Sequence, residues 1–263
     1  FPEKVSLQAI EAYRVGELYK VDAVIEYFKK LGYKNGLDFQ PFIAQKKYDG
    51  NRAIIMKDRD KVKIFSDDGR EANYERIPGL VKELQQIKEP YNFILDCEIE
   101  LWKNGRHQNR EDITGFLHSK GEADDTGVTA NCFDCLFIND VDIHKKDVSE
   151  RLKELDKIPF PQSTIGVPDT KFHLNKTPSY YVEKESQVKG VLNKLANSSA
   201  SEGAMLKVDG YSLSGYTTNM IKYKKYAEVH CVVLKVNTTK VPTVFNYDIG
   251  IRFDENDNIN KKY

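Results

Sequence analysis

The chain has 263 residues, 40% of them apolar and 30% charged, with a formal net charge of zero. Such a profile fits a globular protein of one large or two smaller domains, and it excludes a uniformly basic nucleic-acid coat while leaving room for a local basic cleft. No apolar run reaches the roughly 20 residues of a membrane-spanning helix.

No signal peptide opens the chain, and it starts at Phe1, not Met, so the expectation is a trimmed, intracellular segment. Apolar residues at Val21, Val24, Ile25, Phe28 and Leu31 predict a helix, with Gly32 as its stop. Asn35-Gly36 is a turn. PFIAQKK, RAIIMK and KVKIFS read as strands, the second turning into the third at Arg59-Asp60. PGLVKELQQI is a helix opened by Pro78. NFILDCEIELW is a long strand turned by Asn104-Gly105, and residues 129–138 are another. DVSERLKELDKI and YVEKESQVKGVLNKLANS read as helices; GAMLKV, NMIKYKK and EVHCVVLKV read as strands. Strand runs mixed with helices, not strictly alternating, predict an α+β fold with mainly antiparallel sheets. A boundary falls near Tyr226, where a strand-rich tail begins, giving expected domains 1–226 and 227–263.

Cys132 and Cys135 form a CxxC, which can signal zinc or redox chemistry. They lie in TANCFDCLFI, a buried-strand pattern, where odd spacing sends the two side chains to opposite faces. No second CxxC completes a tetrahedral site. Reduced, buried thiols in a reducing compartment fit better. The five histidines show no HxH or HExxH spacing and read as structural.

QKKYDGNRAII raises the question of which lysine, if either, does chemistry. On a strand Lys47 and Asp49 share one face and Lys46 faces away toward solvent. Gly50 permits a sharp turn or a close approach to a ligand. A lysine attacks only when deprotonated, so its pKa must be lowered by burial or nearby cations. Arg52 is one such cation; Lys222 and Lys224, two apart in IKYKK, share a face that is either solvated or binds an anion. Asp96, Glu98 and Glu100 alternate along one strand and repel each other unless shielded. Glu202 precedes a Gly and an apolar strand. Carboxylates with lysines around a cleft can handle a nucleoside triphosphate with Mg²⁺; no GxxxxGK[ST] phosphate loop is present.

KYDGNR, FILDCEIELW, ANCFDCLFI, EGAMLK and MIKYKK, in that order, resemble the collinear motifs of the lysine-dependent nucleotidyltransferases. That superfamily holds ATP-dependent DNA ligases, RNA ligases and mRNA capping enzymes, and the resemblance spans about Phe42 to Lys225. Arg52, and FILDCE followed by a Trp, look like the DNA ligase version. The resemblance implies two sheets flanked by helices around a nucleotide cleft, with a C-terminal oligonucleotide-binding (OB) barrel begun from Glu228. About 35 residues remain there, too few for five strands. It implies Lys47 as the nucleophile that takes AMP from ATP as a phosphoramidate, passes it to a 5′-phosphate and lets a 3′-hydroxyl displace it at a nick in duplex DNA. Lys222 and Lys224 would hold phosphates, Glu98 ribose or metal, Glu202 the metal, and Arg52 the ribose or nick phosphate. Phe133 and Met205 match the positions that clamp adenine, and plain core packing is their other reading. Gln45 and Lys46 complete the nucleotide set. Gln45 stands where these ligases often carry Glu, and its amide oxygen can still accept from the adenine amine. Ser66-Asp67 replaces a usual Ser-Arg, with Arg70 as a possible substitute. An RNA ligase, a capping guanylyltransferase and a non-catalytic nucleic-acid-binding relative are the competing expectations. The expected state is a monomer.

Overall fold

The computed structural model describes residues 16–67, 69–88, 90–161, 172–209, 220–225, 231–241, 243–252 and 259–260. In chain order the elements are Gly16–Leu18 (β1), Val21–Lys34 (α1), Phe42–Tyr48 (β2), Asn51–Asp58 (β3), Lys61–Ser66 (β4), Pro78–Gln86 (α2), Phe93–Lys103 (β5), Arg106–His107 (β6), Arg110–His118 (α3) and Val128–Ile138 (β7). There follow Val141–Asp142 (β8), Val148–Lys157 (α4), Leu174–Lys176 (β9), Ser179–Val182 (β10), Glu185–Ala196 (α5), Ser201–Lys207 (β11), Met220–Lys224 (β12), Cys231–Thr238 (β13), Phe245–Arg252 (β14) and Ile259–Asn260 (β15). Chain contacts divide the molecule into Phe1–Lys225 and Tyr226–Tyr263. The expected boundary at Tyr226, and residues 228–230 of the expected last strand, lie outside the described residues.

In the first unit one sheet runs β1-β12-β11-β2-β10, antiparallel except for the β1–β12 pair. The other runs β4-β3-β5-β7-β8, with β6 on β5 and β9 parallel to β7. The α+β expectation of mainly antiparallel sheets with helices holds. The second unit has the antiparallel order β13-β14-β15.

Helical spacing places α1 and α5 on the first sheet, where Val24, Phe28, Val188 and Leu192 pack with Phe42, Ala44, Ala204 and Leu206. Phe28 stacks on Phe42 at 4.0 Å between centroids. Helices α2, α3 and α4 bury Leu80, Leu84, Ile113, Leu152 and Leu155 against the second sheet. Each such side chain contributes about 1.5–3 kcal/mol. A third cluster of Ile54, Ile94, Leu136, Phe137 and Met220 ties the two sheets together, with Met205 partly buried against it.

Three expectations are corrected. Gly32 does not stop α1, which runs to Lys34 and gives way at Asn35 and Gly36, where φ is +72°. Gly32 is needed because a Cβ there would meet the Phe39–Gln40 backbone at 2.8 Å. The segment YVEKESQ opens as strand β10, and α5 starts only at Glu185, where Gln187 Oε1 accepts from the Glu183 and Lys184 amides. Cys132 and Cys135 do not face opposite ways. Opposite β5 they pair with Cys97 and Leu95, which share a face, because β7 carries an extra residue at Phe133. Both remain buried and unbridged, as does Cys97. Helix α3 was not foreseen; Asn109 caps it by accepting the Asp112 amide. Among the described residues no helix is long and apolar enough to cross a membrane.

Candidate active site

Strand alternation builds one wall of the cleft. Gln45, Met205 and Lys222 form one cross-strand row, and Lys47, Gly203 and Lys224 the next. All project from the same face of the first sheet, the face that meets the second sheet through Met205 and Met220. The second sheet supplies Arg52, Glu98 and Phe133 from adjacent strands. Gln45, Lys46, Lys47, Arg52, Glu98, Phe133, Met205 and Lys222 all line one cavity. Lys224 and Glu202 complete the expected set from just beside it: Glu202 ion-pairs with Lys47, and Lys224 is bound to Glu17 3.0 Å away.

Two of these side chains are aimed by β-bulges. In β11 the pairing with β2 skips from Ser201 to Gly203, leaving Glu202 unopposed and turned onto Lys47. Gly203 makes this possible: its φ is +136°, and a Cβ there would sit 1.9 Å from the Tyr223 carbonyl oxygen. In β7 the extra residue is Phe133, whose carbonyl accepts Gln45 Nε2 at 3.2 Å. A bulge re-aims a side chain by breaking the two-residue period.

Gln45 is fully buried. Its Nε2 also donates to Ser179 Oγ at 2.9 Å, while its Oε1 is buried with no partner. Since a backbone carbonyl can only accept, the Phe133 contact fixes the amide nitrogen on that side and leaves the oxygen as a buried, unsatisfied acceptor of a residue that lines the cavity.

Gly50 serves close packing of protein on protein rather than approach to a ligand. A Cβ there would lie 2.3 Å from the Ile99 carbonyl oxygen. Its amide donates to Glu98 Oε1 at 3.2 Å, and its carbonyl accepts Arg110 Nε at 2.8 Å. Lys46 is not in solvent. It donates to the Ser199 carbonyl at 2.7 Å and lies over the Tyr48 ring.

Burial pushes the Lys47 ammonium below its ordinary range, and Lys224, Lys222 and Arg110 push the same way, while Glu98 opposes them. Contact with Glu202 also favours the charged form. Arg52, the cation expected beside Lys47, is paired with Asp96, which holds its guanidinium through two bonds of 2.9 and 2.6 Å and offsets its charge. The acids of β5 are separated by having different partners. Asp96 takes Arg52, Glu98 takes the Gly50 amide, and Glu100 accepts from Asn131 Nδ2 at 3.0 Å. Burial raises both Glu98 and Glu100 to about 7.

Sequence reasoning missed Arg110, Lys207 and Tyr48 in the cavity lining, which also holds Asp67, the residue that replaces the usual Arg of Ser-Arg. Asn109 followed by two acids in the next turn signalled the start of α3, and with it Arg110. Lys207 reads as the end of a core strand; its Nζ lies 5.0 Å from the Phe133 ring centroid, and burial lowers it to about 8. Arg70 stays exposed outside the cavity lining.

The model of the family described as ATP dependent DNA ligase domain matches residues 21–224. The chain belongs to this family. A curated relative, "Probable DNA ligase" of Opitutus terrae, is 25% identical over 248 residues, covering 81% of this chain. The chain spans 24% of that relative's length. Among solved structures, the ligase domain of M. tuberculosis LigD matches with a TM-score of 0.54 at 16% identity, over 84% of this chain and 63% of that one. The ATP-dependent DNA ligase from bacteriophage T7, in complex with ATP, matches with a TM-score of 0.51 at 14% identity, over 98% and 81%. At these identities the structural likeness is one of fold, and it agrees with the two-sheet arrangement.

Proposed function

We propose that this chain performs the adenylation step of an ATP-dependent DNA ligase, with Lys47 as the nucleophile. The observation that carries this reading is the pairing of a half-buried, cation-flanked Lys47 with an unpartnered buried acceptor, Gln45 Oε1, in one cavity. Adenine presents an amino group that such an acceptor can bind. Guanine presents a carbonyl at the same position, which Gln45 Oε1 would repel, and this speaks against a capping guanylyltransferase.

In the step, the neutral Lys47 Nζ forms a bond to the α-phosphorus of ATP, the bond from that phosphorus to the bridging oxygen breaks, and pyrophosphate leaves with the electron pair. The proton lost by the nitrogen passes to solvent. Lys222 and Lys224 offset phosphate charge, Phe133 and Met205 flank the base, and Glu98 faces the ribose. The AMP then activates a 5′-phosphate at a nick in duplex DNA for attack by the 3′-hydroxyl.

Among the described residues no group of three or more His, Cys, Asp or Glu side chains is placed to hold a metal by itself. Glu202 and Glu98 are hard oxygen donors, and Mg²⁺ commonly takes one or two carboxylates plus substrate phosphates, so the residues fit a shared site. Bound there, Mg²⁺ would supply charge neutralisation for the phosphates. We place Tyr226–Tyr263 as the start of an OB-type barrel, supported by its antiparallel β13-β14-β15 order.

The test is incubation with labelled ATP or GTP, followed by denaturing electrophoresis and peptide mapping. ATP is expected to label Lys47, Lys47→Ala to abolish the adduct and Lys46→Ala to retain most of it. An adduct on Lys46, or a preference for GTP, would overturn the reading. Sealing of nicked DNA against nicked RNA separates the two ligase classes.

A further inference from the structure

The row Gln45–Met205–Lys222 continues onto the edge strand. β1 runs parallel to β12 and places Glu17 opposite Lys222. Glu17 Oε1 lies 3.0 Å from Lys224 Nζ and 3.9 Å from Lys222 Nζ, while Oε2 accepts the Tyr19 hydroxyl at 2.7 Å. The three charged side chains are each about one-third exposed, at 32%, 31% and 34% for Glu17, Lys222 and Lys224. One carboxylate, anchored from behind by a phenol, therefore sits on both lysines that face the phosphates. Tyr19 and Lys224 hold that carboxyl below its ordinary range, so it is an anion at neutral pH.

We propose that Glu17 competes with the nucleotide for Lys222 and Lys224. The inference rests on the adenylation reading above. A triphosphate brings more negative charge than one carboxylate and displaces it; pyrophosphate leaves more readily because Glu17 can take back the same two ammonium groups. Without Glu17 the lysines would grip the departing pyrophosphate with their full charge. Partly exposed ion pairs contribute about 0.2–1 kcal/mol, so the competition weakens binding of ATP and pyrophosphate by a factor of roughly 1.4 to 5.

The experiment uses the full 263-residue chain. Dissociation constants for ATP and for inorganic pyrophosphate are measured by calorimetry in the wild type, Glu17→Gln, Lys224→Ala and the double variant. Glu17→Gln is expected to tighten both ligands by a factor of about 1.4 to 5, and this gain should shrink in the Lys224→Ala background. Tyr19→Phe keeps the charge and removes its anchor, and it should tighten both ligands by a smaller factor. Unchanged or weaker binding by Glu17→Gln and Tyr19→Phe, at wild-type melting temperature, overturns the proposal, as does a gain that persists undiminished without Lys224. Failure of the wild type to form a Lys47 adduct sinks the adenylation reading instead. An adduct with no gain in Glu17→Gln sinks only the competition.

Discussion

Lys47 sits between two sets of charges, and each can be read out by pH. Lys224, Lys222 and Arg110 favour the neutral amine, whereas Glu98 and the contacting Glu202 favour the ammonium. Removing a nearby cation raises the pKa, so Lys224→Ala or Arg110→Gln should move the rising limb of the single-turnover adenylation profile to higher pH, by roughly half a pH unit. Arg52→Gln should lower the rate with the limb in place, because Asp96 already engages that guanidinium. Profiles from about pH 6 to 10 at saturating ATP-Mg²⁺ decide this; a limb that moves for Arg52 but not for Arg110 would reverse the assignment. Glu202→Gln makes the opposite move. It should shift the limb to lower pH while cutting the plateau rate by well over tenfold, since a ligand for the metal is lost with the charge. A wild-type rate across a Mg²⁺ titration would make Glu202 a structural partner of Lys47 and nothing more.

The bulge in β11 is the element on which this geometry depends. Gly203→Ala places a Cβ against the Tyr223 carbonyl at a φ that ordinary residues avoid, so it should cost about 2–3 kcal/mol in a urea melt. It should also remove the adduct, because Glu202 loses its aim. A variant that melts and adenylates like the wild type would show that the bulge is tolerant. This element also marks where the sequence stopped being legible. The two-residue period placed Gln45, Lys47, Lys222 and Lys224 on one face, and they are there. It could not locate an inserted residue, so it put Cys132 and Cys135 on opposite faces and gave no direction for Phe133 or Glu202. Motif resemblance supplied those two roles. Arg110 escaped both approaches: the Asn109 cap and the two acids after it mark where α3 starts, but the Gly50 carbonyl that Arg110 bonds is sixty positions away in the chain.

At the scale of the whole molecule, the buried acids of β5 link proton uptake to stability. Glu98 and Glu100 rise from 4.5 to about 7 on folding, so the native state binds more protons than the unfolded chain between those values. Their contribution is fully present below about pH 4.5 and is lost as pH rises through 7. Glu100→Gln, a neutral mimic, should remove about 2 kcal/mol of the stability difference between pH 5 and pH 8, read from urea midpoints. His107, which burial pushes down, gives the opposite slope on the acid side; its Nε2 lies 3.4 Å from Glu100 Oε1, so the comparison is made in a His107→Gln background, where the difference between the two proteins isolates Glu100. Equal drops in both proteins would mean that Glu100 ionises in place without cost. The route of the chain between the sheets has a mechanical consequence too. It passes from β2 in one sheet to β3 in the other through Asp49 and Gly50, and returns from β9 to β10, the strand paired with β2, through Thr177 and Pro178. These two crossings lie side by side, like paired pins of a door hinge. If one sheet swings against the other about them, the cleft's rim sweeps the widest arc, while Lys47, two residues from the pin, is carried hardly at all.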